Sequence, residues 1–75
     1  MNDYKYVIFI PSAHLYLAED IRKLTDNITR ARKFSIHNPI RFMLLLRIKL
    51  LHPDAKLHKV LELRANFNID LEQIK

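Results

Sequence analysis

Four histidines, His14, His37, His52 and His58, are the side chains best suited to proton transfer or metal ligation near neutral pH. No two of them stand four residues apart and the chain has no cysteine, so the converging ligand set that zinc requires is not indicated. The adjacent carboxylates Glu19 and Asp20 would point about 100° apart on a helix and would not face each other as an acid/base pair. Ser12, Ser35, Thr25 and Thr29 lack a nucleophile context. The chain also has no glycine, which excludes the phosphate-cradling loops whose backbone must approach an anion closely. Neither catalysis nor a cofactor is expected.

Charge is the remaining chemistry. The net charge is +5, and it is concentrated. Residues 21–64 carry eleven Lys/Arg against Asp26, Asp54 and Glu62, and residues 27–53 carry six cations with no carboxylate. A field of one sign gathers anionic partners. Arg22, Lys23, Arg30, Arg32, Lys33, Lys56 and Lys59 are therefore candidate phosphate contacts of a small, non-enzymatic nucleic-acid-binding regulator acting as a homodimer. Such contacts position a protein without reading bases. The alternative is a protein-interaction module or inhibitor that docks an acidic partner through an apolar helical surface.

The elements that must carry these residues are read from pattern. Seventy-five residues make one small domain. "YKYVIFIP" is aromatic and β-branched with Pro11 at its end, so a strand is expected over about 4–10. Both of its faces are largely apolar. No second strand stands out, and the same strand of a second protomer is the simplest partner for its unpaired backbone. Asp3 and Pro11 leave an apolar core too short for a secretory signal, and the missing cysteine fits a cytoplasmic protein.

Ser12 as cap and the stripe Leu17, Ile21, Leu24, Ile28, Ala31 predict a helix over about 13–34. Asn38-Pro39 opens a second helix and His52-Pro53 closes it, giving about 39–51. Its residues 40–51 hold nine apolar side chains broken only by Arg41, Arg47 and Lys49. That is too short and too charged to cross a bilayer, so a central buried helix near an oligomer interface is expected. Asp54 is placed to cap a third helix over about 55–66, with a short turn starting near Asp70. In that third helix Arg64 falls on the apolar side with Leu57, Val60, Leu61 and Phe67. There it would either pair with Asp70 or Glu72 or face a partner.

Three stretches are similar to known families. "LRANFNIDLEQIK" (63–75) resembles the turn of a helix-turn-helix, although Arg64 stands where that motif takes a small residue. The expected order strand, helix, helix resembles ribbon-helix-helix repressors, but of the outward residues Lys5, Val7 and Phe9 only Lys5 could donate to a base edge. "EDIRKL" and "NPIRFMLLLRI" resemble the helical lead-in of serine-acetyltransferase-like acyltransferases, without the glycine-bearing hexapeptide repeats that do their chemistry. The expected fold is mostly α, a three-helix domain with one short N-terminal strand.

Overall fold

A computed structural model describes residues 3–35, 37–64 and 67–73, with backbone alone for Asp3 and Arg64. It overturns the mostly α, three-helix expectation: the frame is a six-stranded antiparallel sheet carrying one α-helix. In chain order the elements are β1 (Asp3–Ile10), β2 (Leu15–Leu17), β3 (Leu24–Thr25), β4 (Phe34–Ser35), α1 (Ile40–Leu51), β5 (Lys56–Arg64) and β6 (Phe67–Asp70). A 3-10 turn, Ile28–Arg30, lies between β3 and β4.

β1 sits in the middle. One of its edges pairs along β5, from Asp3 opposite Glu62 to Phe9 opposite Lys56. The other is shared, β2 taking Phe9 and Ile10 while β4 takes Lys5 and Tyr6. β3 extends the sheet beyond β2, and β6 extends it beyond β5. The expected pairing of β1 with a second protomer therefore has no edge to use.

The composition of β1 is the reason for this arrangement. Val7, Ile8, Phe9 and Ile10 are all buried, and each such side chain contributes roughly 1.5–3 kcal/mol when removed from water. Alternation sends them to opposite sides, so both faces need cover. On one side Ile8 and Ile10 pack with Leu17, Phe34 and Ala55 beneath Leu44, Leu45 and Ile48 of α1. On the other, Val7 and Phe9 pack with Tyr16, Ala31 and Val60, and Ile28 lies against them.

The expected helix over 13–34 is replaced by β2, β3, the 3-10 turn and β4. Its supposed stripe does not stay on one side. Leu17 joins the core under α1, Ala31 and Ile28 join the opposite one, and Ile21 is exposed. Polar residues between them bond to nearby backbone in competition with the helix. Asp20 accepts the amide of Arg22 at 3.1 Å, Thr25 Oγ1 that of Asn27 at 3.1 Å, and Asn27 Oδ1 that of Thr29 at 2.9 Å.

The expected helix over 55–66 is β5, and its pairing along β1 overrides the capping signal. The two residues expected to cap helices bond to each other instead. Ser12 donates its backbone N–H (2.6 Å) and its hydroxyl (3.0 Å) to the carboxylate of Asp54, tying the β1–β2 turn to the entry of β5. The Ser12 amide, foremost among these, holds the Asp54 carboxyl below the usual carboxylate range. Its contribution to folding is present at neutral pH and is lost as pH falls through that lowered pKa. Ser12→Ala removes one donor, so the Asp54 carboxyl is expected to titrate higher, followed by carbon-13 NMR, while Asp20 stays where it is.

Among the described residues no glycine serves the β1–β2 turn, and His14 takes its left-handed position at φ 57°, which costs a residue with a Cβ about 1 kcal/mol. Where the helix-turn-helix resemblance fell, β5 and β6 pair antiparallel, and among the described residues no pair of helices follows β1 as in ribbon-helix-helix proteins. α1 follows its sequence signals closely. Asn38 Oδ1 accepts the amide of Ile40 at 3.0 Å, and the His52 amide donates to Ile48 at 2.8 Å just before Pro53.

A candidate docking surface on the helix

α1 is not the central buried helix its composition suggested; none of its residues is fully buried. It lies on one face of the sheet, contributing Leu44, Leu45 and Ile48 to the core. At about 100° per residue, the side opposite Ile48 is centred between Leu46 and Leu50, with Phe42 and Met43 on either side of them. All four are exposed, Leu46 at 67% and Leu50 at 83%. On the same wheel Lys49 falls at one margin of this ridge and Arg47 at the other, both exposed. No helix among the described residues is long and apolar enough to cross a membrane.

Beside the ridge, on the Arg47 flank, a cavity of about 380 Å³ opens between α1 and the β2–β3 turn. Its walls are Leu17, Leu24, Leu44, Ile48 and Leu51, with Ile21 at the side. Arg22, Lys23, Arg47 and His52 border it.

The cations expected to hold phosphates are dispersed. Arg22 and Lys23 stand in the β2–β3 turn, where the Arg22 guanidinium pairs with Asp20 at 3.2 Å and holds that carboxyl below its usual range. Arg30 is exposed at the end of the 3-10 turn. Arg32 donates to the carbonyl of Glu19 at 3.2 Å, with its guanidinium 5.9 Å from the Phe34 ring centre. Lys33 Nζ donates to the carbonyls of Ile28, Thr29 and Ala31 at 3.0–3.2 Å, and its burial pushes its pKa down. Arg32 and Lys33 border a second hollow of about 550 Å³ with Lys5, Glu19 and Glu62. Lys56 and Lys59 point to opposite faces of β5, and Lys59 sits 4.6 Å from the Tyr4 ring. The side chain of Arg64 lies outside the described residues, and Asp70, its expected partner, is engaged elsewhere.

That engagement is the polar feature the sequence did not suggest. Asp70 Oδ2 accepts from the Tyr16 hydroxyl at 2.7 Å and from Gln73 Nε2 at 3.0 Å, and His58 Nδ1 lies 2.8 Å away. An ionised carboxylate only accepts, so Nδ1 carries the proton. His58 is 3% exposed, its ring 4.5 Å from that of Phe9. Its other nitrogen, Nε2, is buried without a partner. Burial, followed by donation to Asp70, raises the Tyr16 pKa above the ordinary tyrosine value. A His-Asp pair resembles a proton-transfer device, but neither hollow borders it and its free nitrogen is shut off from solvent. It fastens β2, β5 and β6 together over one face of the sheet.

Comparison with known proteins gives no relative: no protein-family model matches the chain, and no curated protein or solved structure is significantly similar to it.

Proposed function

We propose that this chain is a small interaction module that docks an acidic protein partner through the outer ridge of α1. The observation that carries the reading is the exposed row Phe42, Met43, Leu46 and Leu50 between Lys49 and Arg47. Met43, Leu46 and Leu50 stand at i, i+3 and i+7, and Phe42 stands four before Leu46, the spacing with which a helix fills an apolar groove. The cations at its margins, in a segment with no carboxylate from 27 to 53, select a groove with acidic rims. A second copy fits less well, because pairing α1 with itself would bring cations of the same sign together.

The nucleic-acid reading has less support. The seven cations assigned to phosphate do not share a face, and Arg22, Arg32 and Lys33 are committed to Asp20 or to backbone carbonyls. A duplex would meet no continuous basic stripe.

The test places a photo-crosslinking amino acid at Leu46 and, as a control, at exposed Glu72, in the turn after β6 beside the Tyr16–Asp70 cluster on the opposite face of the sheet. Irradiation in an extract of the source cell should give an adduct with an acidic protein from position 46 alone. Combining the probe with Arg47→Glu and Lys49→Glu should suppress it. An adduct with lipid, nucleic acid or a second copy of this chain would overturn the reading, as would equal labelling from both positions.

A further inference from the structure

The cavity beside α1 has a separate use. We propose that it binds a single-chain aliphatic carboxylate, its tail between α1 and the β2–β3 turn and its head among Lys23, Arg47 and His52.

The walls argue for an aliphatic tail. Leu24, Leu44, Ile48 and Leu51 give the cavity a branched-aliphatic lining, with fully buried Leu17 beside them. No Phe, Tyr or Trp ring lines it, so its apolar wall does not favour a flat, stacked ligand. The rest of its lining is Arg22, Lys23, Arg47 and His52, so a ligand's polar end finds side-chain partners only at basic or imidazole groups. A volume of about 380 Å³ falls within the size range of ligand sites. At roughly 30 Å³ per methylene, close to the share of one water in the liquid, it takes a chain on the order of ten carbons.

The border argues for an anionic head. Arg22, Lys23, Arg47 and His52 supply donors, and no acidic side chain lines the cavity. Asp20 nearby is occupied by Arg22. That leaves Lys23, which acts on Asp20 only as a nearby charge, and Arg47; neither makes a close ion pair among the described residues. A ligand with one apolar chain and one negative end satisfies both parts of the cavity at once. The ridge proposed to dock a protein lies around the helix from this cavity and shares Arg47 with it, so Leu46→Glu with Leu50→Glu and Ile21→Trp, which touch one site each, separate the two.

Proton–nitrogen NMR titration of the intact chain with decanoate, at concentrations below micelle formation, tests the assignment. Amide shifts are expected at Leu24, Leu44 and Ile48 and should saturate. Octanoate should bind more weakly by roughly fifteenfold, about fourfold for each methylene lost. Lys23→Glu with Arg47→Glu should weaken decanoate by roughly tenfold while leaving the binding of decanol unchanged. Ile21→Trp, at an exposed position whose substitution spares the core, should obstruct the cavity and abolish binding of both. Leu46→Glu with Leu50→Glu should leave decanoate binding intact. The proposal is overturned by the absence of saturable shifts, by shifts centred elsewhere, or by decanol matching decanoate before and after charge reversal. Binding to phosphatidylglycerol vesicles with none to decanoate would also overturn it, assigning the cations to a lipid surface.

Discussion

Asp70→Ala is expected to remove about 2–6 kcal/mol of stability, because it leaves two buried donors, the Tyr16 hydroxyl and His58 Nδ1–H, without an acceptor at about 1–3 kcal/mol each. Asp70 is the only shared acceptor of its network. Its side chain is 7% exposed and that of His58 4%. Without it the Tyr16 hydroxyl and His58 Nδ1–H lose their acceptor, and His58 already has an unpartnered Nε2. Small single-core domains of this size rarely hold more than about 3–5 kcal/mol in total, so much of the population should be unfolded in buffer. Urea denaturation followed by circular dichroism measures the shift in midpoint. Tyr16→Phe, which deletes one donor to Asp70 and one acceptor of Gln73 Nε2 while both keep other partners, should cost only about 1–2 kcal/mol. A midpoint unmoved by Asp70→Ala would mean that the network carries no stability.

The same network gives an alkaline limit. The folded pKa of Tyr16 is raised, so its contribution is fully present below the unfolded tyrosine value of about 10 and declines as pH rises beyond it. The protein should weaken above that pH, and Tyr16→Phe should remove this part of the dependence.

The second large effect concerns the ridge. Leu46→Glu with Leu50→Glu should weaken partner binding by about a thousandfold, from two central anchors at about 2 kcal/mol each. The new carboxylates would also repel an acidic rim. Because both side chains are mostly exposed, folding stability should change by no more than about 0.5 kcal/mol per site. Arg47→Ala or Lys49→Ala should act differently, slowing association and flattening its salt dependence with smaller loss of affinity. Surface plasmon resonance against the crosslinked partner separates the two behaviours. Retained affinity in the doubly substituted ridge would remove α1 as the docking element.

Some of this was legible in the sequence for definite reasons. β1 announces itself through β-branched and aromatic residues closed by Pro11, and α1 through Asn38-Pro39 at one end and His52-Pro53 at the other. Residues 13–34 misled because an apolar spacing of helical period arose from residues that end up on opposite faces of a sheet. Without glycine, the turns at His14 and around Asp20 and Asn27 carried no conspicuous punctuation. In β5, Lys59 beside His58 interrupts the alternation, and Asp54 imitates a helix cap while serving Ser12. The basic residues were countable from the start, but their dispersal depended on strand register. The ridge could be seen only once the sheet had claimed one side of α1.

The placement of β1 also constrains how the chain acquires its fold during synthesis. The central strand is made before its partners, yet one whole edge waits for β5, and the clasp over its Phe9 face joins Tyr16 to Asp70, 54 positions later. Few local contacts can hold Val7, Ile8, Phe9 and Ile10 in the meantime, since β2 covers only the end of the strand. Pairing over such separations makes folding slow for a chain of this size, on the order of milliseconds to seconds. Until the last third emerges from the ribosome, a growing chain displays an apolar strand with one open edge, the kind of segment that chaperones bind and neighbouring nascent chains capture.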